Sequence, residues 1–272
     1  WIERAPPKRQ IQVRFLVTGP LIRVFGVVNG WSRLARQALD SGTGGVLPDR
    51  TSPMPRYSQV LFDLDGTLID SAPAILASYR DAFASTGHQP VIAIDAGIVG
   101  PPLLETLRML AGTTDIGVID ALAAGFKASY DSRGYRQTAA YAGVDAMLRR
   151  LGAAGCTLSI ATNKRLLPTR LILEHLGWSG YFAAVYALDL FEPRLPDKAS
   201  MIARLLQDRG IARGDAVYVG DRSEDGESAD ANRLPFIAAT WGYGSLESTE
   251  MAPHWRAVAS PAALVDAILG DA

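Results

Sequence analysis

Four short clusters in this chain carry groups able to do chemistry. The first is Asp63-Leu64-Asp65-Gly66-Thr67, where two carboxylates two residues apart leave an apolar run on the same side. Such a pair repels itself unless a cation or a shared proton intervenes. Gly66 permits a tight turn and leaves backbone N–H groups free for an anion. The second cluster, Thr162-Asn163, sets a hydroxyl beside an amide, and the third, Arg194-Leu-Pro-Asp-Lys198, puts cations where a helix N-terminus can help to hold an anion. The fourth, Gly220-Asp221 followed by Asp225, adds carboxylates to an oxygen-rich set that suits Mg²⁺. Anion-holding groups beside a carboxylate-held divalent cation are the ingredients of phosphoryl transfer, in which positioning and charge neutralisation supply most of the catalysis. His88, His175 and His254 have no spacing that makes a metal site or a triad, and the lone Cys156 reads as core.

These clusters need elements that bring them together. Short apolar runs at 59–62, 156–161, 183–187, 216–219 and 236–239 read as buried strands. Helical spacing covers 71–86, several segments within 103–151, 165–176, 198–210 and 261–269. The alternation predicts an α/β fold, a doubly wound, Rossmann-like parallel sheet with helices on both faces. In such sheets chemistry gathers at the carboxyl ends of the strands, where the four clusters fall. The helical block 71–140 is too long for an ordinary crossover and reads as an inserted helical cap on a core made of 54–70 and 141–272.

The 272 residues carry 27 Lys+Arg against 28 Asp+Glu, a net charge of −1, and 48% are hydrophobic. That apolar share excludes a wholly disordered chain, and the charge balance gives no global field for a nucleic-acid polymer. No stretch approaches 18 uninterrupted apolar residues, so no transmembrane helix and no membrane partner is expected. A single Cys fits a reducing compartment, hence a cytoplasmic protein. Residues 1–53 hold eight basic and three acidic residues, a charge of +5 that leaves −6 for the remainder. They read as a basic, disordered extension ending in a Gly-rich linker, with folding expected to begin near Met54; a basic arm for anionic partners or targeting is the other reading.

In this order the four clusters resemble the motifs of the haloacid dehalogenase (HAD) superfamily of phosphatases. The resemblance covers about 57–272, and the inserted helices resemble a type 1 cap. Ala239-Thr-Trp-Gly-Tyr-Gly is similar to the phosphoglycolate phosphatase-like branch. Gly100-Pro101-Pro102-Leu103, Gly220-Asp221-Arg222 and Lys198-Ala-Ser-Met-Ile resemble 5′-nucleotidase-like relatives. The resemblance implies Mg²⁺-dependent hydrolysis of a small phosphomonoester, phosphoglycolate or a nucleoside 5′-monophosphate, through an aspartyl-phosphate.

Within that scheme Asp63 is the expected nucleophile and a metal ligand. Asp65 is the acid and base, its backbone carbonyl on the metal. Thr162, Asn163 and Lys198 are expected to hold phosphate, with Arg194 the alternative cation. Asp221 is expected to ligate the metal and Asp225 to be a further acid of the metal site. Substrate choice is assigned to the cap, through Gly100, Pro101, Arg108, Lys127 and Tyr130, whereas Trp241 and Tyr243 read as local packing. A sugar phosphomutase on the same scaffold and a non-catalytic phosphate-binding regulator are the alternatives.

Overall fold

A computed structural model describes residues 55–243, 246 and 251–270. The expectations for 1–53, and for a start at Met54, lie outside the described residues. Along the chain run β1 (Gln59–Phe62), β2 (Ile69–Asp70), α1 (Ala72–Thr86), α2 (Leu103–Ala111), α3 (Ile116–Tyr130), β3 (Ala139–Ala140), α4 (Val144–Ala153) and β4 (Thr157–Thr162). There follow α5 (Leu166–His175), β5 (Phe182–Ala187), α6 (Lys198–Arg209), β6 (Ala216–Gly220), α7 (Ser223–Ala231), β7 (Phe236–Ala239), β8 (Arg256–Val258) and α8 (Pro261–Leu269).

Six strands form one sheet in the order β5-β4-β1-β6-β7-β8, and every pairing is parallel. The inner strands β1, β6 and β7 are apolar runs because both of their faces are covered. Alternate residues sort between those faces. Val60, Phe62, Val217 and Val219 join a cluster with residues of α4, α5 and α8, and Leu61, Tyr218 and Phe236 join another with residues of α6 and α7. This is the doubly wound, Rossmann-like α/β arrangement expected from the alternation of elements.

Two core elements differ from expectation. β8 is a sixth strand of three residues, two of them exposed, and offers no apolar run to read. The helix α7, SEDGESADA, buries Asp225, Gly226, Ser228 and Ala229, so its inward face lacks hydrophobic periodicity. Cys156 is buried but precedes the strand, which begins at Thr157.

After β1 the chain forms a two-stranded antiparallel pair, Ile69 opposite Ala140 and Asp70 opposite Ala139. Helices α1, α2 and α3 lie between those two short strands in sequence. Tyr79 of α1 packs on Phe126 of α3 with ring centroids 4.6 Å apart, and Phe126 stacks on Tyr130 at 5.4 Å. No single described helix is long and apolar enough to cross a membrane.

Candidate active site

The clusters converge above the carboxyl ends of β1, β4 and β6. Asp63 leaves β1 with its backbone N–H donating to Val219 O at 2.9 Å, so the sheet still holds the chain where the first carboxylate emerges. Asp63, Asp221 and Asp225 are all buried, and one carboxylate oxygen from each lies within 4.8 Å of the other two. Gly66 makes this crowding possible. Its φ is +83°, and a Cβ there would stand 2.0 Å from Asp221 Oδ2. Thr67 Oγ1 donates to Asp221 Oδ1 at 3.4 Å.

Lys198 opens α6, which begins cleanly because the Asp197 side chain accepts the Ser200 N–H at 2.7 Å. Its side chain is 4% exposed, with Nζ 2.5 Å from Asp225 Oδ1 and 3.4 Å from Asp63 Oδ1. Asp225 also accepts from the backbone N–H groups of Asp221 (3.1 Å) and Arg222 (3.2 Å), while the Tyr218 hydroxyl, 3.5 Å away, gives its one proton to Ala161 O at 2.8 Å. With three donors on two oxygens, Asp225 has most of its acceptor capacity taken.

Burial pushes the Asp63 carboxyl up to about 7. The Lys198 ammonium and the Thr162 hydroxyl oppose that rise, and the Asp225 and Asp65 carboxylates add to it. Burial works against the Lys198 ammonium too, but Asp225 and Asp63 more than reverse it, and its pKa stands well above the ordinary lysine value. Asp63 Oδ1 is fully shielded from water and accepts no hydrogen bond. A buried carboxylate oxygen with no hydrogen bond and only the Lys198 ammonium near it, beside a second buried aspartate, is the environment a hard divalent cation completes, so these residues fit the metal implied by the motif resemblance.

Asp65 faces a different set of partners. Lys164 Nζ lies 2.9 and 3.0 Å from its two oxygens and 4.7 Å from the centre of the Tyr130 ring. Ser71 Oγ also donates to Asp65 and sits 3.3 Å from the Tyr243 hydroxyl. Trp241 Nε1 donates to Thr67 O at 3.0 Å. Trp241 and Tyr243 thus brace the first cluster, beyond the local packing expected of them.

Beside Asp65 opens a cavity with about 50 Å³ of space for the centre of a water-sized sphere. That is room for on the order of three or four waters. Tyr79, Phe126 and Tyr130 give it an aromatic wall, and Gly100 and Pro101 close one side. Asn163 lines it too, donating through Nδ2 to Glu224 at 3.0 Å while its buried Oδ1 has no partner. Thr162 is buried, and its hydroxyl accepts the Lys164 N–H at 3.2 Å. Arg165, next along, pairs with Asp131 at the end of α3 through two hydrogen bonds, one of 2.9 Å.

The structure therefore brings together Asp63, Asp65, Thr162, Asn163, Lys198, Asp221 and Asp225, with Gly100 and Pro101 on the cavity wall. Arg108 is exposed on α2. Lys127 is exposed on α3 and lines an adjoining cleft with Asn163 and Arg194. Of the two candidate cations, Lys198 touches Asp63, whereas Arg194 is 38% exposed and 3.9 Å from Glu105. Sequence reasoning missed Lys164, Ser71, Arg165 and Glu224. Lys164 was within reach, since it directly follows Thr162-Asn163 and any side chain one residue past a strand-end site deserves the same weight. Ser71 and Glu224 carry no such signal.

Comparison with known proteins adds to this geometry. The family profile described as haloacid dehalogenase-like hydrolase matches residues 60–239. A phosphoglycolate phosphatase from Xylella fastidiosa is 33% identical over 199 residues, which are 73% of this chain and 86% of that protein. A tyrosine-protein kinase, PtkA from Mycobacterium tuberculosis, is 34% identical over 195 residues, 71% of this chain; the chain spans 66% of that relative's length, just under two thirds. Among solved structures, a predicted phosphatase from Clostridium acetobutylicum superposes with a TM-score of 0.70 at 31% identity, covering 78% of this chain and 97% of that one.

Proposed function

Because the chain belongs to the haloacid dehalogenase-like hydrolase family, we propose that it hydrolyses a small phosphomonoester through a covalent phosphate on Asp63, in the manner of its phosphoglycolate phosphatase relatives. The observation that carries this reading is the buried Asp63–Lys198–Asp225 chain beside Asp221. It is an arrangement of charges that makes no sense as a hydrophobic core and every sense as a phosphate and metal site.

The first step is attack of an Asp63 carboxylate oxygen on phosphorus with cleavage of the bond to the ester oxygen. Asp65 gives its proton to the departing alkoxide, producing an alcohol. In the second step water attacks phosphorus, Asp65 takes the water's proton, and the bond to Asp63 breaks to release phosphate. Lys198, Thr162 and Asn163 are assigned to the phosphoryl oxygens, where a buried cation and two neutral polar groups offset the repulsion between carboxylate and phosphate. Asp63, Asp221 and the backbone carbonyl of Asp65 are assigned to Mg²⁺. Asp225 holds Lys198 and the 221–222 backbone in place. When bound there, an ion would supply charge neutralisation for the phosphoryl oxygens. Lys164 and Ser71 hold the Asp65 carboxyl at the mouth of the cavity. We read 71–140 as the cap that covers it and selects the leaving group.

A second reading has one observation in its favour, the similarity to a protein named as a tyrosine kinase. The same covalent scheme delivers phosphate to a hydroxyl acceptor other than water if the site excludes water better than it excludes that acceptor.

The test is phosphate release from phosphoglycolate, nucleoside 5′-monophosphates and sugar phosphates, with Mg²⁺ or chelator, in wild type and Asp63→Asn. Release that needs the metal and falls by about a thousandfold or more in Asp63→Asn is expected. A folded wild type that releases nothing from any ester sinks the hydrolase reading. Labelling of a tyrosine peptide from ATP, in place of release, turns it toward transfer.

A further inference from the structure

On the rim of the sheet opposite Asp63, three arginines surround one hollow. Tyr57 precedes β1, Leu234 precedes β7 and Arg256 opens β8, so in a parallel sheet this hollow lies at the amino ends of the strands. It has about 470 Å³ of space for the centres of water-sized spheres. That falls within the roughly 300–1,000 Å³ of small-molecule pockets. Tyr57, Leu234 and Phe236 are buried and make an apolar floor, with Arg56, Arg233 and Arg256 exposed around it.

Elsewhere in the described fold such side chains pair with carboxylates, Arg133 with Asp81 and Arg204 with Asp208 among them. These three guanidiniums have no hydrogen bond or ion pair with any described residue, and Arg56 only lies over the Tyr57 ring, 5.3 Å from its centre. The one carboxylate lining the hollow, Asp230, is taken by other groups. It accepts from Trp255 Nε1 at 3.0 Å and lies 2.9 Å from His254 Nε2. The negative end of α7 is covered too, where Arg213 Nε donates to Asn232 O at 2.8 Å. Three like charges around one concavity, with no free acid to answer them, make a positive potential that an anion would relieve.

The backbone at Arg233 supplies a second, independent sign. Its N–H donates to Asp230 O at 2.8 Å and the Leu234 N–H reaches back to Ala229 O at 2.9 Å, which closes α7 with a left-handed residue. Glycine is the usual occupant of such a place, and α1, α2 and α6 end on one: Gly87, Gly112 and Gly210. Here φ is +57° on an arginine, the one positive φ outside glycine among the described residues. A side chain kept where glycine would cost less is kept for what the side chain does.

We propose that this hollow is a second anion site, separate from the catalytic one, that takes the phosphate chain of an oligophosphate. Guanidiniums match phosphate oxygens with paired hydrogen bonds, and several on one rim suit a chain of linked phosphates better than a single carboxylate. The chain is inorganic or carries a nucleoside whose base meets the apolar floor. Its ligand is no substrate of Asp63, which follows the carboxyl end of β1. The site goes beyond the phosphomonoester reading and does not depend on it.

The test is calorimetry on the full chain in metal-free buffer, with sodium triphosphate and adenylyl imidodiphosphate as probes. Arg233→Gly and Arg256→Gln are each expected to weaken triphosphate binding about five- to tenfold, the share of one solvent-accessible charge-assisted contact. Arg233→Gly is also expected to melt about one to four degrees higher, because glycine holds the left-handed backbone without strain. Weaker binding in a more stable protein cannot come from misfolding. Tighter binding of the nucleotide than of triphosphate assigns the floor to a base; equal or weaker binding assigns the site to the inorganic chain; both support the proposal. No binding, or the same affinity in wild type and both variants, overturns it, the second result placing the anion on the basic residues before 55 or in the catalytic site. Phosphate release, assayed separately, is expected to change less than twofold in either variant. A loss there that matches the loss of binding would make these arginines part of the catalytic site and overturn the separate one. A protein that binds triphosphate through them yet hydrolyses no ester keeps the site and loses only the hydrolase reading.

Discussion

The Asp63 carboxyl is held between opposing influences, and its pH behaviour follows from them. Its folded pKa of about 7 lies above the ordinary 3.8, mainly through burial. Between those values the folded chain keeps a proton that the unfolded chain has released. This group's contribution to stability therefore declines as pH climbs from about 4 to 7 and is level above that. Metal binding needs the carboxylate, so below about 7 apparent Mg²⁺ affinity is expected to rise by up to tenfold per pH unit, and to plateau beyond. Thermal shifts recorded with and without Mg²⁺ from pH 5.5 to 8.5 check both slopes. A metal-induced shift that is the same at every pH would contradict the raised pKa. The residue types at this site were legible in the sequence because phosphoryl chemistry demands carboxylates and a cation at strand ends. Ser71 was not, since its importance comes from the turn geometry that aims it at Asp65, whereas Lys164 stood in plain view one residue past Thr162-Asn163.

Among the elements, the loop after β4 and the end of α3 are joined by Arg165 and Asp131, each under a fifth exposed. Lys164 reinforces the same junction through the Tyr130 ring. Removing one partner of a largely buried pair leaves the other charge poorly solvated. Asp131→Asn is therefore expected to loosen the contact between this helix and the loop after β4. Amide exchange across 116–130 should quicken, and kcat/KM should fall by about tenfold, mostly through KM, as the cavity wall loses its fixed position. Unchanged exchange in that helix would show that packing of Phe126 and Tyr130 alone holds it. The strands and most helices were readable from apolar runs and helical spacing. What escaped was α7 and β8, because α7 buries a carboxylate and small residues and β8 is three residues at a sheet edge. An element whose inward face serves the site carries the site's polarity and hides from hydrophobic patterning.

Across the whole molecule, every residue assigned to the chemistry falls between 63 and 225. A chain shortened to 55–272 is thus expected to release phosphate with kcat/KM within about twofold of the full chain. A larger loss would give the first 54 residues a part in catalysis, and the assay on both forms decides it. The parallel sheet sets the scale at which the clusters meet, since residues about 160 positions apart are neighbours only because β1 lies between β4 and β6. That strand order cannot be read from any one segment; the crossover rule fixes the hand of each connection and leaves the order to packing among all of them.

The short pairing of Ile69 with Ala140 and of Asp70 with Ala139 has a wider consequence. The chain departs from the sheet and returns to it through adjoining doorposts, and what hangs between them meets the core at a few points, Asp131 on Arg165 and Tyr130 on Lys164 among them. A lineage can lengthen, shrink or trade that insert for another without unthreading a single strand. If the insert selects the leaving group as proposed, recognition of a new ester is a matter of refurnishing one annexe, while the carboxylates at the sheet's rim go on undisturbed.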